Sequence, residues 1–212
     1  MLSKSFKRVM VLAPHTDDGE FGCGGAIARF LEAGSEVFYS AFSACEQSLP
    51  PPFEPDTLKY ELLDAMQAFG IPEDRVFLYS HQVRRFQEVR QDILQDIIDV
   101  KLEIQPDIVF MPCMEDMHQD HQVVAMEGLR AYKDRTVVSY EMPWNNLNLN
   151  TSTFFKLDRK HIDKKIEALQ CYKSQAGKLY SNPEFIESLA RTRGVQIGSD
   201  FAEVFETVRW VV

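Results

Sequence analysis

Residues 8–34 read RVMVLAPHTDDGEFGCGGAIARFLEAG. An unbroken apolar run, RVMVLA (8–13), gives way to a short polar turn. GCGGAIARFLEAG (22–34) then has the apolar spacing of a helix closed by Gly34. A buried strand feeding directly into a helix is the opening unit of a parallel α/β sheet. The chain repeats the pattern. EVFYSAFS (36–43), RVFLYS (75–80), DIVFMP (107–112) and VVSYE (137–141) read as strands. LKYELLDAMQAFG (58–70), with Asp56 placed to cap it, reads as a helix, as do VRRFQEVRQDILQDIIDVKLEI (83–104) and residues 119–132. The expected fold is a Rossmann-like, mostly parallel sheet with helices on both faces.

After residue 142 the alternation stops. PWNNLNLNTS (143–152) is a polar loop, FFKL (154–157) a short strand, DRKHIDKKIEALQCYKSQ (158–175) and PEFIESLARTRG (183–194) helices, and FAEVFETVRWVV (201–212) a final strand. The chain reads as one domain over 1–212. Residues 1–142 form an α/β core that carries the site, and 143–212 add a lid and a last strand. That strand can pair within the chain or across subunits, so a homo-oligomer stays open.

Composition narrows the partners. The formal net charge is −9, which argues against nucleic acid and anionic membrane surfaces, since both select basic patches. No stretch approaches the roughly 20 apolar residues that span a bilayer. The N-terminal apolar run is short and lacks a cleavage site, so a cytoplasmic location is expected. Cys23, Cys45, Cys113 and Cys171 are scattered, with no CxxC pair for a thiolate metal site or a disulfide framework.

The turn after the first strand holds the chemistry. In HTDDGEFGCGG (15–25), Gly22 and Gly24 fit a dinucleotide turn, but the third glycine position is Ile27 and no G-K-S/T follows. Asp17, Asp18 and Glu20 would repel a pyrophosphate. A metal site suits these residues better. His15 and one of the two aspartates can ligate, and HQDH (118–121) can add His118 or His121, leaving a position open for water. Both clusters follow strands, where α/β sheets bind ligands. Three of the five histidines fall in them; His81 and His161 lie outside. Of the adjacent aspartates, one can bind metal while the other faces the attacking water. The glycines are expected to let the chain turn from strand to helix behind the site.

PHTDDGEFGCGG (14–25) resembles the PHPDDEELGCGG motif of the LmbE-like, or PIG-L, zinc-dependent N-deacetylases, and MHQDH (117–121) resembles their downstream HPDH motif. The resemblance spans roughly residues 7–142. It implies an enzyme that removes the acetyl group from an N-acetylated sugar or sugar conjugate, with zinc as cofactor. It implies His15, Asp18 and His121 as metal ligands and Asp17 as general base. His118 would polarise the carbonyl, and Asp120 would orient a histidine. Two positions depart: Thr16 replaces the motif's proline, and Gly19 replaces its first glutamate, with Glu20 following. The spacing from His15 to Gly22 is unchanged, so Gly19 is a substitution and not a shift. A His-Asp-His set also suits Fe2+. A metal-dependent hydrolase of another amide or ester, and a weakly catalytic sugar-binding protein, are the alternatives.

For the substrate, MPWNNLNLN (142–150) offers Trp144, Asn145 and Asn146. VRRFQEVR (83–90) offers Arg84, Arg85 and Arg90, of which one can meet a phosphate or carboxylate on a phosphorylated or nucleotide-linked sugar. KSQAGKLYS (173–181) carries Lys178 and Tyr180, to which the sequence assigns no role.

Overall fold

The computed structural model describes residues 6–212. Its sheet has seven strands in the order β3 (Val76–Leu78), β2 (Glu36–Ser43), β1 (Arg8–His15), β4 (Ile108–Met111), β5 (Thr136–Tyr140), β7 (Phe201–Arg209), β6 (Thr153–Leu157). The first five run parallel. Strand β7 is antiparallel to β5, and β6 antiparallel to β7. The mostly parallel α/β fold expected from the alternation is the fold observed.

The apolar run of β1 is continuous because both of its faces are covered. Val9, Val11 and Ala13 enter the core beneath α1 (Asp18–Glu32), α2 (Thr57–Phe69) and α5 (Arg159–Leu169). Met10 and Leu12 point the other way. They pack with Ile93 and Ile97 of α3 (Arg90–Ile104) and with Val123 and Val124 of α4 (Gln119–Ala131). This is the two-residue alternation of a strand read in side chains that are all apolar.

Several boundaries differ from the sequence reading: the helix expected over 158–175 ends at Leu169 and the last strand at Arg209. Helix α1 begins at Asp18 and not at residue 22, because the Asp18 Oδ2 atom accepts the His15 N–H (2.8 Å) and closes the turn early. The third strand shortens to Val76–Leu78, behind a turn at Glu73–Arg75. The helix expected over 83–104 starts only at Arg90. Ahead of it, Arg84 sits at φ 68°, in the left-handed region that no helix admits. The Arg84 and Phe86 N–H groups donate to Asp120 instead (2.6 and 3.4 Å), so a distant carboxylate overrides the local periodicity.

The glycines of the opening stretch lie inside α1 and serve close approach. A methyl group at Gly22 would fall 2.3 Å from the Tyr140 ring, and one at Gly25 would fall 2.5 Å from Leu157. The helix breaks at Cys23 (φ −144°, ψ 22°). A break strands backbone groups that must find partners elsewhere. The Glu203 carboxylate of β7 accepts Gly25 N–H (2.9 Å) and Ala26 N–H (2.7 Å). Lys165 of α5 donates to the Phe21 carbonyl (2.6 Å) and to Glu203 (2.7 Å). Both charged residues are buried. Residues beyond 142 therefore complete the core's first helix from β7 and α5, while α6 (Pro183–Val195) packs on β7.

Removing one partner of a buried ion pair leaves the other charge uncompensated. Glu203→Leu should cost about 3–5 kcal/mol in a denaturant titration. A loss under about 1 kcal/mol would show that the break in α1 closes without it.

Candidate metal centre

Strands β1 and β4 are neighbours, and the chain leaves them toward opposite ends of the sheet. Such a reversal opens a crevice at the carboxyl ends of the two strands. His15 is the last residue of β1, and Asp17 caps α1. After β4, a loop leads to His118, the residue that caps α4. The two polar clusters, about a hundred residues apart, meet here.

The Nδ1 atom of His15, Oδ2 of Asp18 and Nε2 of His121 form a triangle with edges of 3.0, 3.2 and 3.4 Å. Ligand atoms about 2.0–2.1 Å from a tetrahedral zinc ion lie about 3.3–3.4 Å from one another. Two imidazoles and a carboxylate are also a donor set that zinc takes when it keeps one position open, and Fe2+ accepts it too. The residues present therefore fit a divalent ion. His118 lies beside them: one ring nitrogen from each of His15, His118 and His121 falls within 4.8 Å of the others. The His118 Nδ1 atom, however, already accepts the Asp120 N–H (3.2 Å). Its neutral ring thus carries the proton on Nε2, as a donor.

Each histidine of the triangle has its own carboxylate behind it. His15 Nε2 meets Asp120 Oδ2 at 3.1 Å, and His121 Nδ1 meets Asp116 Oδ2 at 2.8 Å. Asp116 and Asp120 are buried. A carboxylate partner fixes the tautomer and orientation of a ligating imidazole. Sequence reasoning singled out Asp120 and missed Asp116. The signal was a second carboxylate in EDMHQDH, needed once two histidines ligate. Asp116 also accepts the His118 N–H (2.8 Å), so it aims both histidines.

The electrostatics favour a cation. Burial pushes the Asp18 carboxyl up, but His121 and His15 beside it outweigh burial and hold it well below the ordinary value. Burial disfavours a charged His121, yet Asp18 and Asp116 raise it to about 10. A field that draws a proton onto His121 draws a metal ion to the same place. Asp17 behaves oppositely. Burial and the charge of Asp18 push its carboxyl up to about 6. Its side chain makes no capping hydrogen bond and lines the cleft. His118 is pushed down to about 4 by burial and by His15 and His121, so it is neutral at pH 7.

The cleft above these residues has a volume of about 320 Å³. One wall is aromatic: the rings of Trp144 and Tyr180 stack at 4.4 Å and 9°, with Phe21 against both. Arg84, Asn145, Gln175 and Lys178 also line it. The substrate candidates divide. Arg84, Trp144 and Asn145 reach the cleft. Asn146 instead holds its own loop, accepting Met142 N–H (2.6 Å). Arg85 pairs with Glu88 on the surface (2.9 Å), and Arg90 pairs with the buried Glu127 (2.9 Å). Lys178 and Tyr180 come from the C-terminal stretch, where no local pattern marks them.

The family model described as PIG-L: GlcNAc-PI de-N-acetylase matches residues 10–132. A probable N-acetyl-alpha-D-glucosaminyl L-malate deacetylase 2 of Bacillus subtilis is 25% identical over 223 aligned residues, covering 96% of this chain and 98% of that protein. Among solved structures, the conserved protein TT1542 of Thermus thermophilus superposes with a TM-score of 0.79 at 24% identity, covering 96% and 95% of the two chains. The N,N'-diacetylchitobiose deacetylase of Pyrococcus horikoshii superposes with a TM-score of 0.75 at 19% identity, covering 96% and 84%.

Loss of an orienting carboxylate typically weakens metal binding about 10- to 100-fold. Asp116→Ala should weaken zinc binding by that factor in competition against a chelating dye. Affinity equal to the parent's would detach Asp116 from the ion site.

Proposed function

We propose that this chain, which belongs to the PIG-L family, is a metal-dependent hydrolase that removes the acetyl group from an N-acetylated sugar or sugar conjugate. The observation that carries the reading is the triangle of His15, Asp18 and His121, with the Asp17 carboxyl lining the cleft beside it. The similarity to the Bacillus and Pyrococcus deacetylases supports the substrate class.

A divalent ion held by His15, Asp18 and His121, zinc in the first instance, would supply Lewis-acid polarisation of the amide carbonyl and a water of lowered pKa. The chain's own groups do the rest. Asp17 lines the cleft with no capping hydrogen bond at its side chain and takes the proton of the attacking water. His118, neutral and protonated on Nε2, donates to the carbonyl oxygen as negative charge develops there. The amide C–N bond breaks, the leaving nitrogen takes the proton from Asp17, and acetate and a free amino sugar depart. Asp116 and Asp120 keep the imidazoles aimed throughout.

The stacked faces of Trp144 and Tyr180 offer a flat apolar surface for a sugar ring. Arg84 and Lys178 put two cations at the cleft of a protein whose net charge is −9. They suit a substrate that carries a phosphate or carboxylate, which favours a phosphorylated, nucleotide-linked or acid-bearing N-acetyl sugar.

Acetate release across a panel of N-acetyl sugars and their anionic conjugates, with and without added zinc, tests the reading. Asp17→Asn should keep stoichiometric zinc and lose about 10²- to 10⁴-fold in kcat. Acetate release by that variant at the parental rate would remove Asp17 as the base. Arg84→Met combined with Lys178→Met should raise KM for a phosphorylated N-acetyl sugar about tenfold more than for its uncharged parent. An equal rise for both would assign the two cations elsewhere. Protein purified without oxygen and analysed for metal separates zinc from iron.

A further inference from the structure

Behind the proposed base lies a buried polar cluster that touches neither the cleft nor the triangle. Glu20 is fully buried, yet it carries a carboxyl group. Its Oε2 atom pairs with the Tyr39 hydroxyl, and its Oε1 lies 2.6 Å from the Tyr172 hydroxyl. Both tyrosine hydroxyls also come within reach of one further acceptor, the Thr16 carbonyl, at 3.0 Å (Tyr39) and 2.8 Å (Tyr172), and each shares its single proton between Glu20 and that carbonyl. The Tyr39 hydroxyl in turn accepts the Gly19 N–H (3.0 Å). Tyr39 belongs to β2, and Tyr172 lies just beyond α5.

The Thr16 carbonyl and the Asp17 N–H belong to one planar peptide unit. Holding that carbonyl from two sides sets the plane from which the Asp17 side chain departs. We propose that Tyr39 and Tyr172, bridged by Glu20, are positioning residues that fix the Thr16–Asp17 peptide and so aim the Asp17 carboxylate. The inference rests on the reading of Asp17 as base.

Burying a carboxyl group and two hydroxyls is costly unless they satisfy one another. A fold needing only bulk here would use three apolar side chains. The glycine at position 19 belongs to the same device. A methyl group there would fall 2.6 Å from both Oη and Cε2 of Tyr39. The ring of Tyr39 thus occupies the space that any side chain at 19 would need. The glutamate found at this point of the motif that residues 14–25 resemble has no room in this chain, and Tyr39 takes its place from the neighbouring strand. None of these three side chains meets the cleft, so their effect on the reaction passes through the backbone alone.

The test is amide hydrogen exchange at residues 15–19 of the metal-free protein, with steady-state kinetics and zinc content beside it. Tyr172→Phe, which keeps the ring and deletes only the hydroxyl, should speed exchange at residues 15–19 about tenfold. The β4 amides should exchange as in the parent. On the N-acetyl sugar that the parent turns over fastest, kcat should fall about tenfold, with KM within about twofold and one zinc per chain retained; small misplacements of a catalytic group have effects of this size. Tyr39→Phe, a second deletion in the same clamp, should act in the same direction. Glu20→Gln, whose amide still bonds both hydroxyls, should lie closer to the parent than Glu20→Leu does. Unchanged exchange at residues 15–19 in both phenylalanine variants would overturn the clamp, whatever the substrate. Faster exchange with unaltered kcat would overturn its role in aiming the base. If no panel sugar is turned over, the proposed function fails while the exchange measurement still decides the clamp.

Discussion

The Glu203 carboxylate closes the break in α1 on which the placing of the site depends. Helix α1 must start at the mouth of the crevice, so that Asp18 meets His121 and Asp17 lines the cleft. It must also pass beneath α5 and close to β5. One straight helix does not do both, and α1 breaks at Cys23. The break exposes amides at Gly25 and Ala26, which Glu203 accepts, and a carbonyl at Phe21, which Lys165 fills. The apolar run of β1 supplies the burial, but the break is tolerable only because of this ion pair. A buried pair of charges is seldom a source of net stability. Here its value lies in where it lets the helix point.

The site repeats the principle with the signs arranged for function. Asp18 is held ionised against its burial by two histidines, whereas Asp17, one residue away, is pushed toward neutrality by burial and by Asp18 itself. Two carboxylates adjacent in sequence thus acquire different roles from their surroundings. Asp120 adds a second link. It backs His15, and it also receives the Arg84 and Phe86 amides, tying the loop that brings Arg84 to the cleft to the orientation of a candidate ligand. The loop of a proposed substrate cation and a candidate metal ligand thus share one carboxylate.

Much of this was legible in the sequence, and the rest has identifiable reasons for being hidden. The parallel sheet followed from apolar runs bounded by turns. The meeting of HTDD with HQDH followed from both clusters lying after strands. What periodicity could not supply were features set by partners far along the chain. The helix expected over 83–104 fails because Asp120, 36 positions beyond Arg84, takes its amide. The glycines looked like turn residues, but their reason is the Tyr140 ring and the Leu157 side chain from distant strands. Glu203 and Gly25 lie 178 positions apart, and nothing local to either announces the other. Lys178 and Tyr180 occupy a short irregular segment with no pattern, and only folding brings them to the cleft that Arg84 also lines.

The departures from the motif can be weighed in the same terms. Thr16 replaces a proline, yet the turn it occupies is not left slack, since its carbonyl is gripped by two hydroxyls. Gly19 replaces a glutamate, yet no hole results, since Tyr39 fills the space. Both replacements fall on the side of the turn that faces the core, and neither removes a group that the cleft presents. A sequence comparison scores them as losses from a catalytic motif. In three dimensions they belong to one local arrangement, in which the stiffness that a proline ring would give comes from hydrogen bonds from β2 and from the chain beyond α5. The loss of a motif residue argues for lost activity only when its partner space is left empty, and here it is occupied.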